Sequence, residues 1–378
     1  MKVLILTHNY LQGYGGGAFG ARAYINAFAA LYDHVTLLFP ARREEEEAEA
    51  IDPRVKTIPV IDRRSLPKKV WDIGVRGILH RFEAAFLGLL ARERFDLVVF
   101  QNSKCSSRLI GPAKASGAKV IVIHDNYEVE YTRDNASLAE RLLQMRAVRK
   151  TEEAAVRDAD LNLVLTLQDK ELLARHYARD RRAVLELWGS FEFAHREDLS
   201  WPEVTEPVFL ITGNLGARQT EDSLFPWLDT CWPLLRKTVP SARLVVAGKN
   251  PSEPLRQRLA KEGAALVDTP PDMNAVLRQG KYFICPVCKG GGIKLRVMDG
   301  LRAGLPVLVH QVSARGYEVF RDSALFVYED AASFGKALQK MLATPLERHS
   351  VQALFRTHFS LEAGISRLQS ILTSYGWI

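Results

Sequence analysis

The densest chemistry in the sequence lies between Cys285 and His310, CPVCKGGGIKLRVMDGLRAGLPVLVH. An apolar run gives way to Gly290, Gly291 and Gly292, and Ile293, Lys294, Arg296 and Asp299 follow within the next seven positions. Consecutive glycines leave main-chain N–H groups bare, and at a helix N-terminus the macrodipole favours an anion beside them. Two cations with a row of amides suit a diphosphate. A carboxylate about one turn further on suits a vicinal diol such as ribose, so the residues outline a site for a nucleotide-sugar. A glycine-rich turn also arises where a helix merely packs close to a sheet, and the three glycines alone leave both readings open.

The elements that must hold these groups can be read from periodicity. Tyr282 to Val287 has strand character. Ile293 to Ala303 is amphipathic, with Ile293, Val297 and Leu301 at helical spacing, Gly304 stops it, and Pro306 to His310 is the next strand. A similar unit opens the chain: strand Lys2 to Thr7, a loop containing Gly15, Gly16 and Gly17, a helix from about Ala18 to Leu31 and strand Val35 to Phe39. Its glycine spacing does not fit GxGxxG, and no acidic residue follows the second strand at the distance that a dinucleotide site needs. A third polar cluster, HDNYEVEY, follows strand Lys119 to His124. Ligands of open α/β sheets bind beyond the carboxyl ends of strands, and a His beside a carboxylate can exchange a proton near neutral pH. His124 and Asp125 are therefore the side chains of the N-terminal half best suited to touch a sugar; a capped surface turn is the plainer reading.

Further along, a charged helix spans about Ala136 to Arg157, and Thr166 followed by Asp169 is a helix-capping pair. Arg182 to Leu187 closes the first series as a strand. Trp188 to Glu206, containing Trp201 and Pro202, breaks the pattern and reads as a linker. Val208 to Thr212 then opens a second series, with a helix to about Lys237 and a strand from Arg243 to Ala247; the last helices are expected from Asp330 to Met341 and Leu361 to Tyr375.

At 378 residues the chain has room for two domains, and 47% hydrophobic with 25% charged residues is ordinary for a globular protein. No apolar stretch is long enough to span a bilayer, and the first residues read as a strand, not a leader, which points to a cytoplasmic chain with reduced thiols. Cys285-Pro-Val-Cys288 has metal or redox spacing, yet no second pair accompanies it, so core packing is the expected role and no metal site is assigned. The formal charge of +7 suits an anionic substrate or an anionic membrane face; no nucleic-acid module is present. Residues 62–94 concentrate that charge and carry Trp71, Val75, Ile78, Phe82, Phe86 and Leu90 at helical spacing. The bland reading is a helix covering a sheet; Arg63 to Trp71 also has the composition of a lipid-headgroup contact.

GGGIKLRVMDGLRAGLPV resembles the donor-site signature of retaining glycosyltransferases of the GT-B fold, family GT4. The resemblance implies two doubly wound Rossmann-like α/β domains facing a cleft, here 1–190 and 207–360, with a linker at 191–206 and a terminal helix, 361–378, returning to the first domain. It places the diphosphate on the amides of Gly290 to Ile293, the ribose on Asp299, and charge stabilisation on Lys294 or Arg296, and on Arg218. Asn214 stands where the family commonly has an arginine, and Gly291 where many members have a glutamate. HDNYEVEY is similar to the family's sugar-orienting region, so His124 or Asp125 takes that role, and Gly15 to Gly17 match the loop that closes on the donor. The implied chemistry is sugar transfer from a nucleotide-diphospho-sugar to a glycan or lipid-linked acceptor, with retention and with no metal or cofactor. A nucleotide-sugar epimerase of the same fold and a non-catalytic nucleotide-sugar-binding protein are the alternatives.

Overall fold

The computed structural model describes residues 1–13, 15–178, 184–195 and 202–378. The chain forms two units, one of residues 1–195 with 359–378, the other of 196–358. In the first, seven strands pair in parallel: β1 (Lys2–Thr7), β2 (His34–Ala41), β3 (Lys56–Ile61), β4 (Leu97–Gln101), β5 (Lys119–His124), β6 (Leu161–Val164) and β7 (Leu185–Leu187). Their order is β3-β2-β1-β4-β5-β6-β7. The central strands are apolar at nearly every position instead of alternating, because helices cover both faces of a parallel sheet. Those helices are α1 (Gly16–Leu31), α2 (Leu66–Trp71), α3 (Glu83–Leu90), α4 (Ile110–Ala115), α5 (Glu128–Asn135), α6 (Leu138–Asp158) and α7 (Leu167–Tyr177). Local chemistry fixes several starts: Ser137 and Glu140 form a reciprocal capping box on α6, and Thr166 Oγ1 accepts the Asp169 N–H to open α7, as the sequence spacing implies.

The second unit holds β8 (Val208–Asn214), β9 (Arg243–Lys249), β10 (Ala265–Asp268), β11 (Tyr282–Cys285), β12 (Val307–His310) and β13 (Leu325–Tyr328), parallel in the order β10-β9-β8-β11-β12-β13. Around them lie α8 (Arg218–Thr238), α9 (Glu253–Lys261), α10 (Met273–Leu277), α11 (Arg296–Arg302), α12 (Ala331–Ala343) and α13 (Arg348–Phe359). One face is cored by Phe209, Ile211, Leu224, Trp227 and Trp232. A last helix, α14 (Leu361–Ser374), belongs to the first unit. Both sheets are doubly wound and Rossmann-like, and in each the strand order reverses once, between β1 and β4 and between β8 and β11.

Three expectations change. Residues 62–94 are not one helix: α2 runs into a π turn at 72–76, Gly77 takes a left-handed φ of 69°, and α3 begins only at Glu83. Trp188 is not linker. It is buried against Tyr24, Phe28 and Phe191, and its indole N–H donates to the Gly364 carbonyl at 2.9 Å. The helix expected from Ile293 starts at Arg296, because the glycine turn extends further than the periodicity suggests. The start of the strand expected at Arg182 and the linker's Trp201 lie outside the described residues. Among the described residues, no helix is long and apolar enough to cross a membrane.

Candidate functional site

Where strand order reverses, the loops leaving two neighbouring strands diverge and open a crevice at their carboxyl ends. In the second unit those strands are β8 and β11. Beyond β11 the chain makes the 290–292 turn, in which Gly290 (φ 85°) and Gly292 (φ 68°) adopt left-handed backbone that a Cβ would strain. Lys294 is buried beneath this turn. Its ammonium donates to the carbonyls of Gly290 (2.9 Å) and Gly291 (2.7 Å), and its own carbonyl accepts from Tyr317 Oη at 3.1 Å. A charge held by those two carbonyls fixes the shape of the turn; the sequence had it facing the ligand. Ile293 is half-buried between turn and helix.

Arg296 opens α11 and spans the crevice to the β8 side. Its Nη2 donates to Thr220 Oγ1 at 3.0 Å, in the first turn of α8. The guanidinium lies against Gly213 so closely that a Cβ there would stand 2.7 Å from Cζ. Its Nη1 is buried without a hydrogen-bond partner, and an unmet buried donor costs about 1–3 kcal/mol until an acceptor arrives. Asp299, also in the first turn of α11, accepts from Thr212 Oγ1 at 3.4 Å. Five features thus meet at one sheet end: the glycine turn, Arg296, Asp299, Thr212 and Thr220. Arg218 is not among them. It is exposed on α8, 3.9 Å from Asp222.

In the first unit, the reversal between β1 and β4 gathers a polar ladder. Thr7 Oγ1 donates to Gln101 Oε1, and Gln101 Nε2 donates to both oxygens of Asp125, at 2.9 and 2.7 Å. Asn102, held at a positive φ of 78°, reaches Asp125 Oδ2 (3.3 Å) and Glu128 Oε1 (2.7 Å). Lys104 pairs with Glu128 at 2.7 Å. Burial pushes the Asp125 carboxyl up to about 6, against the Gln101 hydrogen bonds that favour its ionised form. Glu128 goes the other way: the Lys104 charge holds its carboxyl below the usual range in spite of burial. Deeper still, Glu152 accepts from the Glu128 N–H (2.7 Å) and Tyr177 Oη (3.1 Å), and burial raises it to about 8.

His124 departs from expectation. It is buried, its Nε2–H donates to Asn162 Oδ1 at 2.9 Å, and its Nδ1 has no partner. Burial lowers its pKa to about 4, so it stays neutral near pH 7, whereas burial moves Asp125 toward neutrality, to about 6. Gly15, Gly16 and Gly17 are exposed at the start of α1, where a Cβ on Gly17 would stand 2.1 Å from Asn9 Oδ1. The sequence reading missed Gln101, Asn102, Thr212 and Thr220. Gln101-Asn102 directly ends the apolar run LVVF, and the strand-end rule that drew attention to Asp125 applies to it equally.

The family described as glycosyl transferase 4-like domain matches residues 15–188, and the one described as glycosyl transferases group 1 matches 206–344. No curated protein matches at the sequence level. Among solved structures, sucrose-phosphate synthase (tll1590) from Thermosynechococcus elongatus is similar with 16% identity and a TM-score of 0.66, over 98% of this chain and 94% of that one. Anabaena Alr3699/HepE, solved with UDP and glucose, is similar at 12% identity and 0.67, over 99% and 100%. The lipopolysaccharide outer core galactosyltransferase WaaB in its apo form gives 11% and 0.67, over 99% and 100%. At such identities the solved structures establish the GT-B fold, and the family matches across both sheets carry the assignment: the chain belongs to the GT4-like group 1 glycosyltransferases.

Proposed function

We propose that the chain moves a sugar from a nucleotide-diphospho-sugar to a glycan or lipid-linked acceptor, with retention of configuration and without a metal, at the cytoplasmic face of a membrane. The observation that carries this reading is the convergence of Arg296 and Asp299 on the β8–β11 crevice beside the glycine turn. Arg296 Nη1, which has no acceptor, supplies a charged donor for a diphosphate oxygen, and the 290–293 amides supply neutral ones. Asp299 takes the ribose hydroxyls. Lys294 acts through the turn it ties down, and Arg218 reaches the donor only by leaving Asp222 on the surface of α8. The similar Anabaena protein was solved with UDP, which makes UDP-sugars the first donors to test.

Catalysis in this reading is mainly stabilisation of charge on the departing diphosphate, which itself accepts the acceptor's proton, so no protein nucleophile is needed. In this reading Asp125, which accepts two hydrogen bonds from Gln101, is the first unit's candidate sugar-orienting carboxylate. Titration calorimetry with UDP and GDP tests the donor site: Asp299→Ala weakens binding of the preferred nucleotide by about 1–3 kcal/mol, the cost of losing charged hydrogen bonds. Unchanged affinity removes Asp299 from the ribose. Incubation with UDP-, GDP- and dTDP-sugars then separates the reactions: slow release of nucleotide without acceptor supports a transferase, and an epimerised sugar supports an epimerase. Binding without turnover under any acceptor supports a binding protein.

A further inference from the structure

We propose that the face formed by α2, the π turn after it and the N-terminal half of α6 rests on an anionic lipid bilayer. Leu66 is 74% exposed, Trp71 56% and Val75 63%, while on α6 Leu138 is 65% and Leu142 79% exposed. No residue of α2 is buried. The two stretches form one surface: Leu143 of α6 lines, with Leu66, Val70, Trp71 and Val75, an open groove of about 680 Å³. Apolar side chains exposed singly are ordinary, whereas a contiguous patch of this kind marks a docking surface.

Charge selects the occupant. On α2 the cations are already neutralised, Lys68 by Asp72 (3.0 Å) and Lys69 by Asp62 (3.4 Å). On α6, Leu138, Leu142 and Arg146 are four residues apart and share one exposed stripe, and Arg149 and Lys150 continue it. Among the described residues, no carboxylate pairs with Arg146, Arg149 or Lys150, so the stripe runs from leucines to unneutralised cations. That sequence of a tryptophan, leucines and then cations matches the depth profile of an interface with anionic headgroups. A two-fold contact with a second copy would set two such basic rims together. The inference deepens the reading above, since a chain held on a bilayer meets a lipid-linked acceptor there, but its evidence lies apart from the donor site.

Flotation of the full-length protein with phosphatidylcholine vesicles, with and without phosphatidylglycerol, is the test. The wild type rises with the anionic vesicles, less so as salt is added. The triple variants Leu66→Ser/Trp71→Ser/Leu142→Ser and Arg146→Gln/Arg149→Gln/Lys150→Gln each lose about tenfold or more of the binding. Every substituted side chain is exposed, and circular dichroism with an unchanged thermal midpoint shows that the variants are folded. A wild type that stays unbound with both vesicles overturns the proposal, and so does binding that survives either triple variant. Self-association that the apolar variant abolishes, without flotation, assigns the face to a second copy and overturns it too. A wild type that floats with the anionic vesicles and yet binds neither UDP nor GDP would instead sink the donor reading alone.

Discussion

Asp125 and Glu152 show how neighbours, and not residue type, set the behaviour of a carboxyl. Glu152 is fully buried with one N–H and one hydroxyl on it, and its pKa rises to about 8 from 4.5. A raised acid stabilises the fold at low pH, where both states are protonated; that stability is lost as pH climbs from the unfolded value through 8. Glu152→Gln keeps the shape and removes the titration. Its thermal midpoint is expected to vary less between about pH 5 and 8 than the wild type's. A parallel pair of curves would mean that Glu152 is ionised in the fold. Asp125, at about 6, gives the corresponding prediction for function: if its carboxylate orients the sugar, transfer rises as pH passes 6, and Asp125→Asn removes that limb. A pH–rate profile that keeps its limb in the variant assigns it to another group.

At the scale of elements, the glycine turn is the part to perturb. Lys294→Met leaves the Gly290 and Gly291 carbonyls without their ammonium, and stability in denaturant falls by about 1–3 kcal/mol. A lysine that faced only the ligand would give unchanged stability and weaker UDP binding, so the two measurements together separate the roles. The βαβ units were legible because buried strands are continuous apolar runs and because glycines punctuate them. Residues 62–94 were misread for a matching reason. Their apolar residues keep a helical period, but Gly74 and Gly77 let the chain open into a π turn and leave Val75 and Trp71 in solvent. Periodicity reports a face; it does not report whether anything covers that face.

At the scale of the whole molecule, the last helix returns to the first unit through α1 and the Trp188 cluster. Gly364 presses on Phe191 so tightly that a Cβ would stand 2.3 Å from its ring, and the Gly364 carbonyl holds the Trp188 indole. Gly364→Val is expected to lower the melting stability of the first unit by about 1–3 kcal/mol through overpacking, with UDP affinity unchanged because the donor residues lie in the other unit. A fall in UDP affinity would show that the two units depend on each other. By itself the sequence determined the succession of strands and helices, the glycine turn and the carboxylate at Asp299, because periodicity and turn chemistry are properties of neighbours along the chain. Tertiary structure decided which groups meet. Thr212 finds Asp299 across 87 positions, Arg296 finds Thr220 across 76 and Trp188 finds Gly364 across 176. It also turned Lys294 inward, lowered the pKa of His124 and raised that of Asp125, since hydrogen bonding and desolvation depend on residues far away in sequence.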